Sequence, residues 1–358
     1  MAFYQSLKHD RRTYPPGRAA PGQAGWIADR LLRLRALLNG QITARRRPDS
    51  LIIGSWNIRH FDGGRPRLHE SFHYIAEIID HFDICAVQEV KNIEAVDRLL
   101  RLLGPNWTYF INDSSGAGRG NHERMAFLYN RNRVSFRHLV GELVLPRDAL
   151  PGGEQIARTP FFAAFQAGWF RFTLCSAHII FKEEAGRPLR EDEIRVIAQE
   201  MAKRARAQDE VHVFLGDMNI DDHAAPGMQA LLAAGFDVPD LGPTSLSGDK
   251  YYDQIAFVGP DQKTRMLERG VLCWPDAVFR DEEAGDYQQI ARLMRGAEDQ
   301  AEVARLLVEE PDGGEPYANW ARSYSSWRTH EMSDHLPVWI ELEVDYSNEY
   351  LRGIGGPA

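Results

Sequence analysis

Residues 50–58, SLIIGSWNI, decide how the chain is read. The run is apolar, has the length of one strand, and closes on an asparagine. The same construction returns at 83–89, DICAVQE, which closes on a glutamate, and at 211–219, VHVFLGDMN, which closes on polar residues. Between the first two runs, Phe72, Ile75, Ala76 and Ile79 keep the i, i+3, i+4, i+7 spacing of an amphipathic helix. Residues 92–103 predict a second helix, with Ile93, Val96, Leu99, Leu100 and Leu103 inward, and 190–206 a third, with Ile194, Ile197, Met201 and Ala205 inward. Further strands are predicted at 107–111, 125–129, 133–138, 252–258 and 336–344, and a hairpin at 161–167 and 169–177. Many strands with a few intercalated helices predict an α/β (α+β) sandwich.

Outside this body the texture changes. The 358 residues are 44% hydrophobic and 26% charged, which excludes a disordered chain, a collagen-like repeat and a membrane bundle. No apolar run approaches the roughly 20 residues of a membrane span. The start, MAFYQSLKHDRRTYPPGR, lacks the apolar stretch of a secretory signal, and Cys85, Cys175 and Cys273 cannot all pair, so reduced thiols and a cytoplasmic location are expected. Net charge is −9, but it is unevenly spread. Residues 1–50 hold ten Lys/Arg against three Asp/Glu, net +7, whereas 276–316 hold twelve acidic against four basic residues, net −8. The expected organisation is a basic arm and helix at 1–48, a catalytic domain at 49–345 interrupted by an acidic helical insertion at 276–330, and a tail at 346–358. The arm's helix, 24–38, carries Ile27, Leu31, Leu34 and Leu38 on one face, flanked by Arg30, Arg33 and Arg35. Two roles follow from charge: the arm extends a cationic track for a phosphate backbone, or it pairs with the acidic insertion. Either segment could also hold a protein partner.

The chemistry sits where strands end. Asn57, Glu89, His178, Asp217, Asn219, Asp253, Asp334 and His335 all lie at the edge of an apolar run. Any one alone reads as a cap or turn residue. Together they offer carboxylate and amide oxygens, which suit a hard cation such as Mg²⁺ or Mn²⁺, and two imidazoles, which suit acid–base work on a phosphoester.

These residues lie in segments that resemble the metal-dependent endonuclease/exonuclease/phosphatase superfamily, and within it the deoxyribonuclease I-like nucleases. The likeness runs in order through IGSWNIRHF, DICAVQEV, HERMAFLYNRNRVSF, RTPFFAAF, LCSAH, LGDMNID, YYDQIAF and MSDHLPVWIEL, covering about 50–275 and 331–345. It implies two packed β-sheets sandwiched by helices, with the active site in a cleft at one edge. It implies Glu89 as the main metal ligand, Asn57 beside it, and Asp334 completing or supporting the ion. Asp217 and Asn219 would orient the water or bind a second cation and the scissile phosphate. His178 and His335 would be the acid–base pair, held by Glu123 and Asp253. Arg59, Lys91, Arg158 and Tyr252 match positions that touch nucleic acid. The implied activity is metal-dependent hydrolysis of DNA, with RNA a further substrate. The alternative in the same superfamily is a phosphoesterase for a small or lipid phosphate ester. A non-catalytic module is disfavoured because every chemical position is filled.

Two further patterns compete for attention. His69-Glu70-Ser71-Phe72-His73 matches HExxH on a helix, but both histidines flank the apolar face and no third ligand follows. His60 and His81 read as ordinary surface or turn residues. Tyr317, Trp320, Tyr324 and Trp327 recur at 3-4-3 spacing, which favours a docked amphipathic helix over a lid or stacking platform for bases.

Overall fold

The computed structural model describes residues 2–5, 7, 22–63, 66–113, 122–150, 153, 155–156, 158–180, 189–260, 263–294 and 319–355. In chain order the principal elements are α1 (Gly22–Leu38), β1 (Ser50–Phe61), α2 (His69–Asp80), β2 (Ile84–Val90), α3 (Ile93–Leu103), β3 (Trp107–Ile111), β4 (Arg124–Asn130) and β5 (Ser135–Glu142). There follow β6 (Phe161–Ala167), β7 (Phe170–His178), α4 (Arg190–Gln208), β8 (Val211–Asp217), α5 (Pro226–Ala233), β9 (Asp253–Val258) and β10 (Met266–Val271). The chain closes with α6 (Ala284–Met294), α7 (Trp320–Glu331), β11 (Val338–Glu343) and α8 (Ser347–Gly355).

The strands form two mixed sheets, ordered β10-β11-β1-β2-β4-β3 and β5-β6-β7-β8-β9. Each sheet contains one parallel pair, β1 with β2 and β7 with β8. A parallel pair brings both carboxyl ends to the same rim, so the polar residues that close these strands meet at one edge of the sandwich. β1 shows how side chains are sorted. Leu51 and Ile53 enter the core between the sheets, while Ile52, Trp56 and Ile58 join the helices on the outer face. Burial on both faces is why this strand reads as one apolar run. Asn57 follows Ile53 and Ser55 at alternate positions, which places it at the rim end of the inner face.

Helices cover both outer faces, giving four layers. On the second sheet, Ile194, Ile197 and Met201 of α4 pack with Met228 and Leu231 of α5 over Phe214. On the first, α1, α2, α3, α6 and α7 share one core with Trp56 and Ile58. The arm's Ile27, Leu34 and Leu38 are wholly buried there and Leu31 nearly so. Trp320, Tyr324 and Trp327 of α7 are also buried, so these rings are core and do not form an exposed stacking platform; Tyr317 lies outside the described residues. Two elements escape the sequence reading, α5 and β10, and the expected C-terminal tail is largely the helix α8. Among the described residues no helix is long and apolar enough to cross a membrane.

Candidate active site

The rim between the two parallel pairs gathers the chemistry. Pairing sets His178 opposite Asp217, and Asp217 opposite Asp253. On the facing sheet, Asn57 lies beside Gln88, next in sequence to Glu89. Asn57 Nδ2 donates to Glu89 Oε1 (3.0 Å) and to Asp217 Oδ2 (2.9 Å), tying one sheet to the other. Beneath it, the wholly buried Gln88 donates to Ser55 (3.3 Å) and to Ser176 across the sandwich (3.0 Å). This polar layer replaces apolar packing under the site and fixes the spacing of the two strand pairs.

The backbone is bent to fit. Glu89 (φ 59°), Asn219 (φ 51°) and His60 (φ 46°) all adopt positive φ. Asparagine tolerates that region; for glutamate it is uncommon, and such strain persists where the surroundings enforce it. Gly216 (φ 126°) has no alternative, because a Cβ there would lie 2.1 Å from the Ala177 carbonyl.

Each imidazole has a carboxylate behind it. His178 Nδ1 lies 3.2 Å from Glu123 Oε2, and its Nε2 lies 3.4 Å from Asp217 Oδ2 and 3.9 Å from Glu89 Oε1. His335 Nδ1 donates to Asp253 Oδ2 at 2.7 Å, and its Nε2 lies 3.7 Å from Asp217 Oδ2. Both rings therefore turn Nε2 toward the same carboxylate. The carboxylates behind them differ. Burial alone would raise Glu123, but His178, then Arg158 (2.9 Å) and Lys91 (3.1 Å), outweigh it and hold the carboxyl down at about 2. Burial opposes the His335 imidazolium, yet Asp253 and Asp217 outweigh that and keep it well above the usual histidine range. Asn219 donates its side-chain amide to the Ile179 carbonyl (2.7 Å) and its backbone N–H to Asp217 Oδ1 (3.0 Å).

The residues expected at the substrate take more specific positions. Lys91 and Arg158 both reach Glu123, so they brace the carboxylate behind His178 at the cleft mouth. Arg59 donates to Thr329 Oγ1 (2.5 Å) and lies 3.9 Å from the half-exposed Asp334. The Tyr252 ring sits 5.7 Å from that of His335.

Among the described residues, two groups offer ligand atoms within 4.8 Å of one another: His60, Glu89 and Glu123, and Asp217, Asp253 and His335. Asp334 lies outside both. Asn57 Oδ1 is buried without a hydrogen-bond partner among the described residues. An orphaned amide oxygen beside Glu89 fits a hard cation better than an apolar neighbour. His60, expected as an ordinary surface or turn residue, is exposed, and in addition its N–H donates to Glu89 Oε2 (2.8 Å) and its ring nitrogen lies 3.4 Å away. Gln88 was not singled out either; its partners lie on other strands. The HExxH histidines go elsewhere. Arg98 donates to His69 Nδ1 (2.6 Å), which puts the His69 proton on Nε2, facing His73 Nε2 at 3.2 Å. That is a histidine–histidine hydrogen bond beside a guanidinium, not a metal clamp.

The sequence family described as Endonuclease/Exonuclease/phosphatase matches residues 54–330. The chain belongs to this family. A protein named Deoxyribonuclease from Thioalkalivibrio sp. (strain K90mix) is 26% identical over 270 residues, 72% of this chain and 71% of that one. Among solved structures, a family member from Bacteroides thetaiotaomicron aligns with TM-score 0.52 and 17% identity, covering 84% of this chain and 97% of its own. The mannosyl-6-phosphatase of Bacteroides thetaiotaomicron VPI-5482 gives TM-score 0.50 and 16% identity, covering 82% and 99%. TDP2 of D. rerio, complexed with single strand DNA product, gives TM-score 0.50 and 14% identity, covering 82% and 98%. At such identities these structures establish the fold. Family membership makes the protein a divalent-metal-dependent hydrolase acting on phosphodiester bonds.

Proposed function

We propose that the protein is a Mg²⁺- or Mn²⁺-dependent nuclease that hydrolyses DNA, with RNA a further substrate. The observation that supports it most is the opposed pair of imidazoles, each backed by a carboxylate and each turning Nε2 toward Asp217. Glu89 and Asn57 would hold the cation, with Asp334 at the edge. A bound divalent ion there would neutralise charge developing on the phosphoryl oxygens. Asp217 and Asn219 place the attacking water. Its proton leaves toward the Asp217–His178 side, while the protonated His335 gives a proton to the departing oxygen. Glu123 and Asp253 fix the two rings' tautomers. Arg59, Lys91, Arg158 and Tyr252 line the approach of the backbone. The likeness to a protein named Deoxyribonuclease favours DNA. Free Cys85, Cys175 and Cys273 suit a reducing compartment, the cytoplasm.

The test is incubation of the purified protein with Mg²⁺ or Mn²⁺ against plasmid, single-stranded DNA, RNA, sugar phosphates and a phosphoinositide panel. Cleavage of DNA that chelation abolishes is expected. Turnover of a sugar or lipid phosphate with intact DNA would replace the nuclease reading by the small-ester one.

A further inference from the structure

We infer that the N-terminal helix positions the catalytic loop: Arg30 of α1, acting through Glu283 and α7, keeps Ser333 and His335 in register with Asn57. The inference rests on the reading of His335 as a catalytic residue. Only Met332, Ser333 and Asp334 separate the end of α7 from His335. At its far side α7 hangs from the segment 279–284: Trp320 Nε1 donates to the Ala284 carbonyl (2.5 Å), the Tyr324 hydroxyl to Arg280 O (3.0 Å), and Arg328 to Phe279 O (3.0 Å). That segment carries Glu283, whose side chain is 6% exposed and lies 2.9 Å from Arg30 and 2.5 Å from Arg33. The Arg30 side chain is 7% exposed, and beside it the Trp26 indole donates to the Tyr287 hydroxyl of α6 (3.3 Å).

At the site end the links are equally specific. Glu331, the last residue of α7, is wholly buried and accepts from Leu68 N (2.8 Å) and Ser71 Oγ (2.7 Å). Ser333 Oγ donates to the Asn57 carbonyl (2.6 Å) and accepts from the His335 N–H (3.0 Å) and the Arg59 N–H (3.3 Å). Without Arg30, Glu283 keeps only the more exposed Arg33, and a buried carboxylate that loses one of two guanidinium partners moves, shares a proton or admits water. Glu283 lies on the same few residues of backbone that suspend α7. Any of these responses therefore shifts α7, and with it the Ser333 hydroxyl that orders three active-site backbone groups. Arg30 is thus a positioning residue far from the chemistry.

The test compares full-length Arg30→Met and Arg30→Lys with the parent by amide hydrogen exchange and by hydrolysis of bis(p-nitrophenyl) phosphate with Mn²⁺. In Arg30→Met the Arg59 and His335 amides should exchange about tenfold faster or more, with Leu174 and Val213 of the second sheet unchanged. kcat should fall by about ten- to a hundredfold at constant KM, as small misplacements cost. Arg30→Lys should restore both, and Arg30→Met should add nothing to the kinetic loss of His335→Ala. Faster exchange confined to α1, or spread equally through the second sheet, would overturn the inference. Should Arg30→Met not fold, Arg30→Gln, which also removes the charge facing Glu283, gives the same comparison; unchanged Arg59 and His335 amides there also overturn it. The exchange measurement needs no substrate, so a protein inert toward every phosphoester tested would refute the phosphodiesterase reading without deciding this one.

Discussion

The two histidine–carboxylate pairs look alike and are built differently. His178 ends a central strand of the second sheet, and its partner Glu123 is shared with Lys91 and Arg158. His335 sits on a loop after α7, and its partner Asp253 is wholly buried at the start of β9. Glu123 is held down first by His178 and then by Arg158 and Lys91, so its charge is shared among three groups. Asp253 acts on His335 with the help of Asp217, and the proton stays on the ring. The first pair joins the end of β7 to the residue just before β4. The second joins the start of β9 to a ring on the loop after α7.

The strongest way to break the comparison is to remove the cation beside which both pairs would act. Glu89→Gln keeps shape and loses one of the two carboxylate charges bonded to the Asn57 amide. Divalent-ion affinity and turnover should both collapse, a loss of several kcal/mol of transition-state stabilisation. Calorimetric titration with Mn²⁺ beside an activity assay measures it; unchanged affinity would remove Glu89 from the cation site.

Next come the rings. His178→Ala and His335→Ala should each lower the rate by about 10²–10⁴-fold while the protein stays folded. Because both rings face Asp217, the double variant should lose far less than the product of the two. Multiplicative losses would mean that the pairs act in separate steps.

The difference between the pairs should also appear as opposite pH dependences of stability. The Glu123 carboxyl is lowered from 4.5 to about 2, so its contribution is present above 4.5 and lost as pH falls toward 2. His335 is raised above 6.5, so its contribution is full below 6.5 and lost as pH rises through the folded-state value. Thermal unfolding against pH should show the Glu123→Gln defect fading in acid and the His335→Gln defect fading in alkali. Parallel pH profiles for the two variants would contradict the asymmetry.

How legible these features were in the sequence depends on how far away their partners lie. β1, β2 and β8 are apolar on both faces and end in polar residues, so their runs announced both the sheets and the rim. β10, MLERGV, is an edge strand with half-buried residues, and Glu268 and Arg269 hide it; α5 spans only eight residues. Gln88 and His60 are polar letters whose meaning depends on Ser176 and on a positive-φ turn. Arg30 and Glu283 lie some 250 residues apart in sequence, and only packing of α1 beside α6 brings them together.

The smallest expected effect concerns the basic linker, and it separates a charged arm from a phosphate track. Arg30 and Arg33 face Glu283, Arg35 faces Glu77 (3.0 Å), and Arg46 faces Asp83 (2.6 Å), so these arginines are engaged within the protein. Arg45 and Arg47 are exposed, but they precede Ser50, where β1 begins. Asn57 lies seven residues further along that strand, about 23 Å at the rise of a β-strand. The linker therefore sits at the end of the first sheet away from the catalytic rim, so Arg45 and Arg47 do not continue a cationic track into the site, while Lys8, Arg11, Arg12 and Arg18 of the arm lie outside the described residues. A backbone-contacting arginine adds about −0.9 to the slope of log affinity against log salt for duplex DNA. Arg45→Gln with Arg47→Gln should leave that slope and the cleavage rate unchanged, whereas Arg59→Gln at the rim should flatten the slope by up to one such increment. A slope that flattens with the linker pair and not with Arg59 would return the track to the arm, and would require DNA to wrap from the rim to the opposite end of the sandwich.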